Sequence, residues 1–410
     1  MKALVFTSLY PNNIQPHLGV FIKERMSRFA RLPGCEAQVV APVPYFPPIP
    51  GTSRSGFSQV VKQEEIEGLT VHHPRYFMTP KVGMSCYGIC MFLSVLPTVR
   101  NILRRYECDV IDAHYVYPDG FAAVLLGKVC KKPVIVSARG SDINQYAHLR
   151  FIRPLLRYTL QRAERGIAVC QALKDAIVQL GVAGEKITVI PNGVDEKKFY
   201  PLTKAEARRR LHLPPGRILL SVGGLIPRKG FDLLIKALKI IREDSQAHNL
   251  SLVIVGDGPE REALGQLATA LQLHEHVRFV GDVPHHQLYP WYSAADLFCL
   301  ASSREGWPNV VLESFACGTP VVATDVWGIP EIIRSDQIGL LTKRDEHAIA
   351  TTITRAFQIP WSVETLVAYA RKHTWDRTAR AVLQVFQEAV DDYRLPSPSS
   401  IADRAHTGVQ

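Results

Sequence analysis

Acidic residues are scarce in the first half of the chain. Residues 1–200 hold 25 Lys and Arg against 15 Asp and Glu, whereas the remainder holds 23 of each, so the whole formal charge of +10 sits in the first half. Such a field attracts phosphates, anionic lipid headgroups or nucleic acid. The interleaved basic and aromatic residues of RNA-binding modules are missing, which argues against nucleic acid as a partner. Zinc and redox spacing is missing too: none of the eight cysteines forms a Cys-x-x-Cys, and Cys86 and Cys90 have three residues between them. Cys35, Cys108, Cys130, Cys170, Cys299 and Cys317 lie in or beside apolar stretches and read as buried thiols of a reducing compartment. Met1–Ser8 has neither a basic leader nor a cleavage site, so a strand and a cytoplasmic location are expected.

Long uncharged runs are also few. Val82–Val99 spans eighteen residues without a charge and ends against Arg100, Arg104 and Arg105, but glycine, serine, threonine and proline dilute it. A core or interfacial helix that touches an anionic membrane is expected rather than a spanning one. The 410 residues, 47% hydrophobic and 21% charged, fit a folded chain of two domains.

What is present is a recurring alternation. Short β-branched runs at Ala3–Thr7, Gln38–Ala41, Val110–Ala113, Val134–Ser137, Ile167–Val169 and Ile187–Ile190 are separated by helical patterns. A second series runs through Ile218–Val222, Leu252–Val255, Val277–Val280, Leu297–Leu300 and Val321–Ala323. Alternation of this kind predicts parallel sheets covered on both faces, hence an α/β fold of two Rossmann-like, doubly wound domains. The proline-containing stretch 189–216 marks the junction. The expected division is one domain over 1–200, a second over 201–362, closing helices over 363–395 that pack back on the first domain, and a frayed tail over 396–410.

Two segments carry chemistry. Gly223–Gly230 follows a strand and precedes an amphipathic run; its glycines, Gly224 among them, permit a sharp turn, and Arg228 and Lys229 offer a fork and a point charge to a diphosphate. It has neither the Walker spacing nor Gly-x-Gly-x-x-Gly. In Ser303–Glu313 two carboxylates, Glu305 and Glu313, have seven residues between them. Pro308 fits the first position of a helix, which places Glu305 and Gly306 in the loop before it, Glu313 in its second turn, and the N–H groups of Asn309 and Val310 at an anion-binding end. The adjacent histidine pairs His72–His73 and His285–His286 read as loop residues rather than metal ligands. Trp307 reads as a sugar-stacking ring or a pocket wall.

Glu305–Glu313 with Ser314–Ala323 resembles the signature of GT-B glycosyltransferases of family 4, and the likeness extends over most of residues 217–342. In the first half, Pro16–Phe21 resembles the glycine turn at which Gly19 approaches the donor diphosphate. Ile111–His114 resembles the strand end whose histidine faces the transferred sugar. Ala138–Asp142 resembles the family's His-Gly-Ser-Asp segment with Arg139 in place of the histidine and Asp142 as an acceptor-side carboxylate.

The resemblance implies two domains facing a cleft, an acceptor-binding one over 1–200 and a donor-nucleotide-binding one over 201–362, and retention of anomeric configuration. It also implies that Glu313 holds ribose, Glu305 contacts sugar hydroxyls, Arg228 and Lys229 clamp the leaving diphosphate, and His114, Arg139 and Asp142 face the acceptor. With no Asp-x-Asp in the chain, no metal and no cofactor are expected. The substrates expected are a nucleoside-diphosphate sugar, UDP-linked by family habit, and a lipid-linked or polysaccharide acceptor. The alternatives are a sugar-nucleotide epimerase of the same fold and a non-catalytic nucleotide-sugar-binding protein.

Overall fold

A computed structural model describes residues 1–45, 55–78, 83–213, 215–243 and 249–394. The chain divides into two compact units, the first made of 1–169, 173–190 and the segment from Thr378, the second of 170–172 and 191–377. Val82 and the expected tail 396–410 lie outside the described residues.

The first unit holds an eight-stranded sheet in the spatial order Ile187–Val189, Arg165–Ala168, Val134–Ala138, Val110–His114, Lys2–Phe6, Glu36–Val40, Leu69–His72, Gln63–Ile66. Every pairing is parallel except the last. The central strands Val110–His114 and Val134–Ala138 are buried along their whole length, as strands covered on both faces must be. On one face, Ile22, Met26 and Phe29 of the helix Val20–Ala30 share a core with Val382, Phe386 and Val390 of the helix Trp375–Arg394. The Phe29 and Phe386 rings stand 5.2 Å apart. The antiparallel edge was not foreseen: charged Gln63–Ile66 lacks an apolar run, and its hairpin closes through Glu67 and Gly68, both at positive φ. His72, expected in a loop, ends the neighbouring strand.

The helix Tyr87–Arg105 is the one described helix long and apolar enough to cross a membrane. Met91, Val95 and Val99, spaced four residues apart, are buried, and the opposite stripe leaves Ile89 and Leu93 exposed. Arg100, Arg104 and Arg105 follow on its exposed side.

The second unit holds six parallel strands in the order Val277–Gly281, Leu250–Val255, Arg217–Val222, Leu297–Leu300, Val321–Thr324, Gly339–Thr342. Numbered along this unit the order is 3-2-1-4-5-6, the dinucleotide-fold arrangement, in which ligands bind beyond the carboxyl ends of strands at the point where the order reverses. That point lies between Arg217–Val222 and Leu297–Leu300.

The domain boundaries need correction. The first division falls at Ile190/Pro191 rather than after 200. Val194 donates its N–H to His373 O at 2.8 Å, and the Phe199 ring stands 6.1 Å from Tyr292. These bonds tie 191–200 to the second unit. The helix Val363–Arg371 also stays there, with Tyr369 edge-on to Phe315 and its hydroxyl donating to Ile332 O at 2.7 Å. Only from Thr378 does the closing helix join the first core.

Candidate active site

Both loops at the reversal point of the second sheet carry the expected side chains. The loop after Arg217–Val222 turns through Gly230 at φ 69°, where an ideal Cβ would stand 2.3 Å from Ala301 O. Glycine therefore permits this loop to lie against the one that follows Leu297–Leu300. Ser303 N–H donates to Arg228 O at 2.8 Å and fastens the two together.

The side chains converge on one atom. Glu305 Oε1 accepts from Lys229 Nζ at 2.6 Å, Arg228 Nη1 at 3.1 Å and Ser302 Oγ at 2.8 Å. Burial raises the proton affinity of the Glu305 carboxyl, but Lys229 and Arg228 overcome it and hold the group below the usual carboxylate range. The ionised glutamate thus positions two cations in one place and leaves a local excess of positive charge.

The helix Asn309–Ala316 begins one residue later than expected: Pro308 is its cap and Asn309 its first residue. Val311 N–H already donates to Pro308 O at 3.1 Å, so the N–H groups of Asn309 and Val310 precede the first turn's bonding and form its positive end. Asn309 Oδ1 accepts from Asn192 Nδ2 at 3.0 Å. Glu313 lies in the second turn, with Oε1 2.8 Å from His285 Nε2 and Oε2 accepting from Tyr292 Oη at 2.9 Å. The sequence pattern marks neither His285 nor Tyr292 as a partner of Glu313; the tertiary structure brings both to its carboxylate. A Cβ at Gly224 would stand 3.9 Å from Asp257 O, in ordinary contact, and Gly306 O lies against Gly328. Trp307 is buried rather than displayed for stacking, and among the described residues its indole N–H has no hydrogen-bond partner.

The first unit has its own reversal point, between Lys2–Phe6 and Val110–His114. Gly19 caps the helix Val20–Ala30 at φ 62°, and an ideal Cβ there would stand 2.1 Å from Leu9 O. His114 ends its strand. Its Nε2 is 2.9 Å from Asp112 Oδ2, and Arg139 Nε donates to its Nδ1 at 3.2 Å. Asp112 in turn accepts two bonds from Arg25 Nη2, at 2.9 and 3.0 Å, while Arg25 Nη1 donates to Ser137 Oγ at 3.0 Å. Arg25 and Asp112 were missed. Asp112 had a readable signal, a carboxylate inside an aliphatic strand two residues before His114 and so on its face.

Asp142 is fully buried, and its oxygens accept from the N–H groups of Gly140 at 2.8 Å, Val116 at 2.9 Å and Arg139 at 3.0 Å. With those bonds it organises the loop that carries Arg139. Among the described residues no three His, Cys, Asp or Glu side chains come together as a metal-ligand set. Cys35, Cys108, Cys170, Cys299 and Cys317 are buried, and Cys130 is half-buried.

Two family models match, Glycosyltransferase Family 4 over residues 34–198 and Glycosyl transferases group 1 over residues 203–373. A glycosyltransferase of Bacillus subtilis assigned to teichuronic acid biosynthesis, TuaC, is 31% identical over 363 residues, covering 87% of this chain and 89% of that protein. The D-inositol 3-phosphate glycosyltransferase of Acidothermus cellulolyticus is 35% identical over 237 residues, 55% of this chain and 53% of that one. Among solved structures, sucrose-phosphate synthase from Thermosynechococcus elongatus superposes with a TM-score of 0.75 at 20% identity, covering 94% and 98% of the two chains. Anabaena HepE in complex with UDP superposes with 0.72 at 19% identity, covering 95% and 100%. At those identities the structures establish the fold, GT-B. The chain belongs to the family 4 glycosyltransferases.

Proposed function

We propose that this glycosyltransferase is retaining and metal-independent, and that it moves a sugar from a nucleoside-diphosphate donor to a lipid-linked or polysaccharide acceptor at the cytoplasmic face of a membrane. The observation that carries the reading is the convergence of Arg228, Lys229 and Ser302 on Glu305 Oε1 at the reversal point of the second sheet.

In the reaction the bond between the anomeric carbon and the β-phosphate oxygen breaks. The acceptor hydroxyl oxygen bonds to the same face of that carbon, and the departing phosphate oxygen takes the hydroxyl proton. Negative charge grows on the diphosphate, where Arg228, Lys229 and the N–H groups of Asn309 and Val310 are already oriented. Two fixed cations supply the charge that a divalent ion supplies elsewhere, so no metal or other cofactor is required. Glu313 takes the ribose hydroxyls, and the free side of Glu305 takes hydroxyls of the sugar. Arg139 is the acceptor-side cation.

Uridine is favoured as the base by HepE, whose structure holds UDP. A polysaccharide acceptor is favoured by TuaC, assigned to teichuronic acid biosynthesis. Membrane contact is favoured by the exposed Ile89 and Leu93 on a helix that ends in Arg104 and Arg105.

The test is a panel of nucleoside-diphosphate sugars assayed in a chelator, with and without a polyprenyl-diphosphate sugar acceptor. One donor is expected to release its diphosphate and give a product of unchanged anomeric configuration. Strict metal dependence or an inverted product would overturn the mechanism, and a rearranged donor formed without acceptor would mean an epimerase.

A further inference from the structure

His114 has both ring nitrogens engaged, and the charges around it decide which one carries the proton. Asp112 Oδ2, 2.9 Å from Nε2, is an acceptor. Its other bonds come from Arg25, a fully buried guanidinium on the helix Val20–Ala30 that also donates to Ser137. At Nδ1 the neighbour is Arg139, which has only N–H groups to offer. A proton on Nδ1 would face those donors, whereas a proton on Nε2 satisfies both contacts. Burial, opposed by Asp112 and reinforced by Arg139 and Arg25, pushes the imidazole down to about 3, and Asp112 stays ionised with a value of about 2. The ring is therefore neutral at pH 7.

We propose that Arg25 and Asp112 are positioning residues that lock His114 as the neutral Nε2–H tautomer, and that His114 orients the Arg139 guanidinium through its Nδ1 lone pair rather than removing a proton from the acceptor. The chain of contacts runs from a helix on one side of the sheet, through two residues on one face of the strand Val110–His114, to the loop after Val134–Ala138. Arg139 is further steadied by the Phe21 ring, 5.5 Å from its guanidinium carbon, and its own N–H is held by Asp142. The arginine that replaces the family's histidine thus has a dedicated support behind it. The catalytic half of this inference rests on the glycosyltransferase reading; the tautomer half does not.

The first readout uses the unaltered full chain labelled with 15N-histidine, His114 being identified by the signal lost in His114→Gln. Long-range 1H–15N spectra are expected to show a proton on Nε2 and no imidazolium between pH 5 and 8, with Asp112, Arg25, Arg139 and Asp142 the charged groups in contact with the ring or its supports. An Nδ1–H ring, or one that titrates in that range, would overturn the lock.

The second readout is Asp112→Asn. With Arg25 donating to the amide oxygen, the amide NH2 points at Nε2 and drives the proton to Nδ1, against Arg139. Turnover is expected to fall on the order of a hundred-fold with donor KM unchanged. A switched tautomer with unchanged turnover would overturn the positioning role, as would a loss of turnover with the proton still on Nε2. If the variant does not fold, the spectrum of the unaltered chain still decides the lock. An Nε2–H ring in a chain that transfers no sugar would support the lock and overturn the functional reading instead.

Discussion

Lys229 Nζ lies 2.6 Å from Glu305 Oε1, an oxygen that Arg228 also reaches at 3.1 Å. The contact joins the two loops that meet where the strand order of the second sheet reverses. It holds two cations in one place, and if they clamp the departing diphosphate as proposed, little reorganisation is left for that step. Replacing Lys229 by alanine is expected to lower kcat about 10²- to 10³-fold, and Arg228→Ala by a similar factor. Steady-state release of the nucleoside diphosphate measures both; an unchanged kcat in either variant would remove that side chain from the clamp.

Glu313 is held by His285 on one oxygen and by Tyr292 on the other. If this carboxylate binds ribose, Glu313→Ala should raise donor KM by about ten- to a hundred-fold, the worth of a hydrogen bond to a charged group. A donor lacking the ribose hydroxyls should lose that much with the unaltered chain and little more with the variant. His285→Ala and Tyr292→Phe are expected to fall between, since each frees one oxygen of the pair. Equal losses in variant and unaltered chain would place the ribose elsewhere.

The buried groups of the first unit make its stability depend on pH in two opposing ways. His114, pushed down to about 3 by burial, binds its proton more weakly folded than unfolded. Its contribution is present above about pH 6.5 and is lost as pH falls toward 3. Asp119, pushed up to about 7 mainly by burial, has the opposite sign: it binds its proton more tightly in the fold, so stability is lost as pH rises from about 4 through 7. Denaturant unfolding at pH 5 and pH 7.5 should therefore separate two variants. His114→Asn should lose less stability on acidification than the unaltered chain, and Asp119→Asn should lose less on going toward neutrality. Parallel curves for all three would refute both assignments.

Ile89 and Leu93 stand exposed on the helix Tyr87–Arg105, which carries Arg104 and Arg105 in its last turn. A neutral triple variant at Arg100, Arg104 and Arg105 should lose about 10²-fold in binding to anionic vesicles, at about 1 kcal/mol per charge near the surface. Raising the salt concentration should weaken the unaltered chain in the same direction. Co-sedimentation measures both, and equal binding by the triple variant would move the contact to another surface.

The carboxylate pair and the basic pair were readable because each is a local pattern at a strand-to-helix junction, within a few residues of a β-branched run. The alternation of strands and helices was readable for the same reason, and the central strands fall where their aliphatic runs stand. The edge hairpin at 63–72 was not, since its outer strand is charged and its partner stops at a histidine. The junction was displaced by ten residues because its proline and glycine content announces a break in regular structure and says nothing about which core the segment joins. Val194 and Phe199 decide that by what they touch.

Periodicity and short spacing thus determined the fold class and marked the Arg228–Lys229 and Glu305–Glu313 pairs, and the resemblance carried by those motifs pointed to the family, because each depends on neighbours along the chain. The supports of those residues were decided only by tertiary structure. Arg25 reaches Asp112 across 87 positions, Lys229 reaches Glu305 across 76, and His285 reaches Glu313 across 28. Parallel strands bring their carboxyl ends to one edge whatever lies between them, so it is sheet order, set by burial of both faces, that chooses which charges meet.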